Sequence, residues 1–219
     1  MTKEEFISKV LVVLNEAASD EAIEQMIGAD LTRVSVYIEN LYPSAWRRAV
    51  KVLPLSWFGP TSFAGNTHKA DAPGGTGYVV LPDDFLALYS FRMEGWKVPC
   101  LAAPESNEKI DRKQSKRYLR GTPQRPVCVT RLANVQEDGV FAVKKALYYY
   151  SLPRSGSEST HVVEEALYVA NVSDMPDTLD IDGKLADPLA YICAGTVLAS
   201  FEKNDLAKAL DSKAMEMIF

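Results

Sequence analysis

The stretch Tyr42-Pro43-Ser44-Ala45-Trp46-Arg47-Arg48-Ala49-Val50-Lys51-Val52-Leu53-Pro54-Leu55-Ser56-Trp57-Phe58 divides the chain into two characters. Before it, apolar residues recur three or four apart; after it, turns and alternating runs take over. Pro43 lacks the N–H a helix interior needs but suits a first turn, which predicts a short helix from Pro43 to about Val52, stopped by Pro54. Trp57 and Phe58 then read as a buried aromatic knot. Gly59-Pro60, Gly65-Asn66 and Ala72-Pro73-Gly74-Gly75 are turn chemistry, so residues 59–77 are expected to form a loop.

Working back toward the N-terminus, Thr2 followed by Glu5 has the spacing of a capping box, in which the hydroxyl and the carboxylate each accept from a backbone N–H of the first turn. Phe6, Val10 and Leu14, flanked by Ile7 and Leu11, give a helix to about Ala18. A second helix is expected from Ser19 or Asp20 to about Asn40, its apolar period carried by Ile23, Met26, Ile27, Leu31, Val34, Ile38 and Leu41, with Gly28 as a point of bending.

Working forward, Tyr78-Val-Val-Leu81 is a strand stopped by Pro82-Asp83-Asp84, and Ala87 to Met93 is a second. Glu105 to Tyr118 is polar and proline-free, a short helix with Ile110 as its only apolar anchor. Pro126–Leu132, Val140–Leu152 and His161–Val172 are rich in Val, Tyr and Phe and read as three strands, with turns at Glu137-Asp138-Gly139 and at Arg154 to Ser159. Tyr148, Tyr149 and Tyr150 are consecutive, so they alternate between faces. Helical spacing returns at Asp187-Pro188, with Leu189, Ile192, Cys193, Val197 and Phe201 as the buried stripe, and a last helix capped by Asn204 or Asp205 runs to Met217. The fold class is α+β. The helices of 1–58 and 185–219 are expected to pack as a bundle, with a β-rich segment over 59–184 inserted between them in a single domain.

A chain of 219 residues with 47% apolar and 24% charged residues is of ordinary globular composition. The formal net charge of -5 argues against a protein built to grip phosphate. Charge is nonetheless polarised: Lys109 to Arg131 holds eight Lys or Arg against Asp111 alone, whereas from Glu158 onward acids outnumber bases twelve to four. Such polarity suits subunits that set a basic flank against an acidic neighbour. Cys100, Cys128 and Cys193 are too widely spaced for a disulfide framework or a zinc motif. The run Val10–Leu14 is too short for a signal peptide, and no stretch approaches the roughly 20 apolar residues of a membrane span. A reducing cytoplasm is the expected setting, with no membrane partner.

Catalytic chemistry is not apparent. Only His68 and His161 could serve as imidazole bases, and neither lies in a nucleophile motif. Gly74-Gly75-Thr76-Gly77 lacks the Gly-Lys-Ser/Thr of a phosphate loop. Asp174, Asp177, Asp180, Asp182 and Asp187 are close in sequence, but the Asp180-Ile-Asp182-Gly183 run lacks the remaining ligands of a calcium loop and reads as caps and turns. No catalytic, cofactor-binding or metal-binding residue is therefore expected. The candidate interaction residues are Lys109, Arg112, Lys113, Lys116, Arg117 and Arg120, with Arg125 beyond them and Tyr118 as the one interleaved aromatic. Trp46, Trp57, Phe58 and Phe85 are expected to form a structural junction between bundle and β segment.

The order of these landmarks resembles the head-to-tail adaptor (connector, or tail-tubular) proteins of tailed bacteriophages. The resemblance rests on Tyr42-Pro43 before a short helix, the Trp57-Phe58 pair, the strand Tyr78 to Leu86 with its Leu-Pro-Asp-Asp-Phe-Leu ending, Gly121-Thr-Pro123, the aromatic strand Leu147 to Pro153, and the helix over Asp187 to Phe201. The chain departs from that plan in its basic stretch and its long Gly/Pro loop. What the resemblance implies is a structural virion protein and not an enzyme: a ring of copies, dodecameric in such adaptors, between the portal protein and a downstream tail or nozzle protein. DNA would pass through the ring without specific binding. The implied location is the virion neck, after assembly in the bacterial host cytoplasm. The alternative is a nucleic-acid-binding accessory protein using the basic segment 109–125.

Overall fold

The computed structural model describes residues 1–17, 31–66, 68–71, 75–116, 118–137, 140–152 and 162–218. The elements in chain order are α1 (Lys3–Ala17), α2 (Leu31–Val52), a 3-10 turn (Leu55–Trp57), β1 (Thr61–Ser62), β2 (His68–Asp71), β3 (Thr76–Val80), β4 (Phe85–Met93), α3 (Glu108–Ser115), β5 (Cys128–Glu137), β6 (Val140–Tyr149), β7 (Val163–Ala170), α4 (Gly183–Ser200) and α5 (Asn204–Glu216). The fold is α+β. It divides into a helical unit, residues 1–59 with 171–219, and a β unit, residues 60–170.

The helical unit is built from both ends of the chain. The capping box forms: the Thr2 N–H donates to Glu5 Oε2 at 2.8 Å and the Glu5 N–H to Thr2 Oγ1 at 3.2 Å. Phe6, Ile7, Val10, Val13 and Leu14 are the buried face of α1. Val13 takes the place that the spacing gave to Leu11, which is only half-buried. The helix expected from Ser19 to Asn40 and the one expected from Pro43 are not separate over the described residues: α2 runs unbroken from Leu31 to Val52 with Pro43 inside it. The residues expected at 18–30 lie outside the described part of the chain. Proline in a helix interior costs about 3 kcal/mol. Here Ile38, Tyr42, Ala45, Trp46, Ala49 and Val50 all bury on the same helix, and that burial outweighs one missing hydrogen bond.

The same override occurs in α4. It begins at Gly183, not at Asp187: Asp182 is the N-cap, its Oδ1 accepting from the Lys184 N–H at 2.9 Å, and Pro188 is buried inside the helix. Leu185, Leu189, Ile192, Cys193, Val197 and Leu198 fill the bundle core, while Phe201 stops at the C-cap, edge-on to Tyr37. Gly195 lets α5 approach closely, since a Cβ there would stand 3.2 Å from the Ala207 carbonyl oxygen. The Arg48 guanidinium ties three helices together by donating to Thr196 Oγ1 and Asp211 Oδ2. The first position of α5 has no side-chain cap; neither Asn204 nor Asp205 fills that role, and Lys203 stands at the N-cap.

The inserted segment is shorter than the 59–184 that the sequence suggests. Residues 171–184 join the helical unit because they pair with its N-terminus: the Lys3 N–H donates to the Asp177 carbonyl at 3.0 Å, the Leu179 N–H to the Met1 carbonyl at 2.9 Å, and Phe58 forms a bridge with Ile181. Met175 and Leu179 are buried there.

The β unit holds two antiparallel sheets, ordered β1-β7-β4 and β2-β3-β6-β5. Residues 59–77 are thus not simply a loop. Thr61 and Ser62 pair with Tyr168 and Leu167 of β7, and His68 to Asp71 pair with Val79 to Thr76 of β3. Two-residue and four-residue strands rich in polar residues carry no alternation that would distinguish them from a loop, and their partners in the sheets define them. The facing sides of the sheets share one core, in which Phe91 stacks on Tyr149 and Phe63 and meets Trp96 edge-on. Tyr149 points into this core, whereas Tyr148 lies on the opposite face beside Tyr78.

Candidate functional site

The basic segment is mounted on the β unit by the few groups in it that are not basic. Asn107 caps α3, its side chain accepting from the Ile110 N–H at 3.0 Å. Asp111, the single acid of the stretch, takes a hydrogen bond from Ser106 Oγ at 2.7 Å and a longer one from the Tyr150 hydroxyl at 3.5 Å. The Arg131 guanidinium stands 3.9 Å from the same carboxylate and lies over the Tyr148 ring at 3.7 Å. Burial, partly opposed by Arg131, raises the Tyr150 hydroxyl above its ordinary range, so that it stays a donor. Gln114 is buried and its Oε1 accepts from the Gly121 N–H at 2.9 Å, which fixes the turn that follows the helix. Ile110, the apolar anchor the sequence suggests, is only half-buried. Polar contacts from Asp111 and Gln114 hold this helix.

That mounting leaves Lys109, Arg112, Lys113 and Lys116 exposed along α3 and its end, with Arg125 exposed beyond. Arg112 is also 3.9 Å from Glu108 one turn earlier, a solvent-facing contact of little weight. Tyr118 stands next to them with 93% of its surface exposed. Arg117 lies outside the described residues. Arg120 does not join the exposed set: it is half-buried, and a Cβ at Gly75 would be 2.5 Å from its Nη2.

Gly121 is pressed by Ser151 Oγ, 2.3 Å from where its Cβ would sit, and that same oxygen accepts from the Val127 N–H at 3.1 Å. The Gly-Thr-Pro landmark is thus a packing requirement. Gly77 is similar: the Tyr149 hydroxyl would lie 2.1 Å from a Cβ there, so this glycine serves close strand packing.

A second exposed surface was not singled out in the sequence. In the β5–β6 hairpin Leu132 pairs with Lys145 and Asn134 with Val143, so Leu132, Val143 and Phe141 fall on one face. All three are exposed, Phe141 to 74%. The opposite face of the same hairpin buries Ala133, Val135 and Ala146 with Val80. Since both faces carry apolar residues, alternation alone does not say which one is covered.

Of the expected junction residues, Trp46 and Phe58 meet edge-on at 5.2 Å between ring centroids in the helical unit. Phe85 belongs to the β unit, stacked on Tyr168 and edge-on to Phe63. Trp57 is only half-buried.

Asp84 accepts from the Tyr168 hydroxyl at 2.8 Å, and the Phe85 N–H closes the Pro82 turn, so Asp84 fixes a turn; Asp83 is exposed beside it. Burial first, and Asp84 second, push the Tyr168 hydroxyl up to about 12. His68 sits in β2 opposite Val79, and His161 lies outside the described residues. Asp182 caps α4, Asp187 pairs with Lys9, and Asp174 accepts from Ser173. Among the described residues no group of three or more His, Cys, Asp or Glu is placed to hold a metal ion.

The described surface has two grooves of note. One, of about 400 Å³, lies in the helical unit beside the Lys9–Asp187 pair. The other, of about 500 Å³, lies in the β unit and is lined by Pro99, Leu101, Pro104, Pro126 and the two thiols of Cys100 and Cys128. No family model matches the chain, and no curated protein matches it.

Proposed function

We propose that this protein is a structural subunit of a tailed-phage neck, a head-to-tail adaptor that forms a ring of copies, dodecameric as the resemblance implies, between portal and tail. The reading is supported by the order of landmarks from Tyr42-Pro43 to the C-terminal helices. The observation that carries it is surface of the kind that assembles: the apolar face of Leu132, Phe141 and Val143 on a long hairpin, in a chain that also sets exposed cations along α3. A ring closes through heterologous contacts, and unlike surfaces on one subunit supply them. Net negative charge keeps passing DNA mobile in such a ring. No helix among the described residues is long and apolar enough to cross a membrane.

The test is negative-stain imaging and mass photometry of the purified chain, alone and mixed with the portal protein encoded with it. Ring-shaped complexes on the portal, lost in a Phe141→Asp variant that keeps its circular-dichroism spectrum, are expected. Absence of any complex with the portal at tens of micromolar refutes the reading. A second reading, nucleic-acid binding, is favoured by one observation: Lys109, Arg112, Lys113 and Lys116 are all exposed beside Tyr118, a base-stacking side chain. It requires DNA affinity that falls steeply with salt and disappears when the four cations are replaced by Gln.

A further inference from the structure

Cys100 and Cys128 are 28 positions apart in sequence and come together in the β unit. Cys100 is placed by a bridge to Phe91, with the Phe91 N–H donating to the Cys100 carbonyl at 2.9 Å and the Cys100 N–H returning to the Phe91 carbonyl at 2.8 Å. Cys128 opens β5 and is held opposite Tyr149 of β6. The two thiol residues lie in one buried cluster, and Cys100 Sγ reaches the Ala102 carbonyl at 3.3 Å and the Pro126 carbonyl, two residues before Cys128, at 3.9 Å. Both line the groove of about 500 Å³, with Lys113 and Arg125 as cations on the same lining. Cys100 is 8% exposed and Cys128 only 1%, so a small molecule entering the groove meets Cys100 first.

We propose that Cys100 and Cys128 form a peroxide-reactive dithiol site, in which hydrogen peroxide entering this groove converts the pair to an intramolecular disulfide. The Cys100 thiolate attacks one peroxide oxygen, the O–O bond breaks, and the released hydroxide takes up a proton to become water. Cys100 is then a sulfenic acid. The Cys128 sulfur attacks Cys100 Sγ, the S–O bond breaks, and the departing hydroxide leaves as water with the Cys128 proton. Two thiols have lost two electrons and peroxide has gained them.

The roles are unequal. The neighbouring Cys128 thiol, against the cost of burial, brings the Cys100 thiol down to about 7. Burial, and then the neighbouring Cys100 thiol, raises Cys128, which suits it to resolve the sulfenic acid rather than to attack first. Cys193 has no such partner: it is fully enclosed in the bundle and burial pushes it up to about 12. The disulfide would close a loop that contains α3 and the whole basic segment. The site is independent of the adaptor reading and would survive its failure.

The test is peptide mapping of the full chain after a few equivalents of hydrogen peroxide, with alkylation under denaturing conditions. The expected result is loss of the mass of two hydrogen atoms, a Cys100 peptide joined to the Cys128 peptide, and Cys193 alone alkylated. Chain-to-chain disulfides, or Cys193 oxidised as fast as Cys100, overturn the proposal. In Cys128→Ser the sulfenic acid at Cys100 should persist and be captured by dimedone. If Cys128→Ser loses the same two hydrogens as the parent chain, Cys128 is not the resolving thiol and the proposal fails.

Discussion

Replacing Phe91 by Ala tests whether the β unit has the single shared core described above. Phe91 is fully buried, with ring contacts to Tyr149 at 5.8 Å, Trp96 at 5.7 Å and Phe63 at 6.2 Å between centroids. Truncating an enclosed phenylalanine costs about 3–5 kcal/mol, the transfer term plus the cavity left behind. Each aromatic pair adds about 0.5–1.5 kcal/mol beyond the buried area. With three rings losing a partner, and with those rings themselves held by β6 at Tyr149, by the Ala166 carbonyl that accepts from the Phe63 N–H and by the Ser151 carbonyl that accepts from Trp96 Nε1, the cavity has little room to collapse. The upper part of the range, about 4–5 kcal/mol, is therefore expected. Against a total stability of about 5–15 kcal/mol that is a large fraction. Hydrogen exchange followed by mass spectrometry reads each compact unit separately, which a single fluorescence midpoint does not. Peptides from β4, β6 and β7 should lose protection by a factor matching that free energy. A loss under about 1 kcal/mol would refute the enclosed aromatic core, because only a site open to solvent or free to collapse costs so little.

Asp111→Ala removes the acceptor for Ser106 and Tyr150 and should release α3, with faster exchange over residues 108–116 and a global cost of about 1–2 kcal/mol in urea denaturation. Gly121→Ala forces a methyl against Ser151 Oγ and is expected to cost about 1–3 kcal/mol, relieved in part by Ser151→Ala in a double-mutant cycle. Thr2→Ala breaks the capping box and should lower the denaturation free energy by about 1 kcal/mol, with Glu5→Ala on top of it adding less than its separate effect. Trp57→Ala, at a half-buried site, should fall clearly below the roughly 3 kcal/mol expected of an enclosed tryptophan, and a full core-sized loss in the same denaturation assay would contradict its partial exposure.

These predictions differ in how far the sequence anticipates them. The Thr2–Glu5 box is legible because its physics is complete within four residues. The same holds for the strand beginning at Tyr78, the turn at Pro82 and the presence of a short polar helix within Glu105–Tyr118, although Thr76 and Gly77 of that strand fall in the stretch expected as a loop and the helix starts only after Asn107. The basic segment was legible as composition, and its exposure along α3 follows from it. What holds it was not: Asp111 reads as one more surface charge until Ser106 and Tyr150 are brought to it from 5 and 39 positions away. Likewise Arg120 counts with its neighbours in sequence but turns inward against Gly75.

By itself, the sequence determined the alternation of a helical plan with a β-rich one, the local start signals and the overall charge polarity, since these depend on residues within a turn or two of each other. Only tertiary structure decided that Pro43 and Pro188 lie inside helices, that residues 171–184 belong with the N-terminus, which face of the β5–β6 hairpin is left bare, and that Cys100 and Cys128 line one groove. The physical reason is the same in each case. A proline's local preference or a strand's alternation is worth about 1–3 kcal/mol and is ambiguous in sign or face. Burial of several side chains against distant segments is larger, and it selects among the options the local sequence leaves open.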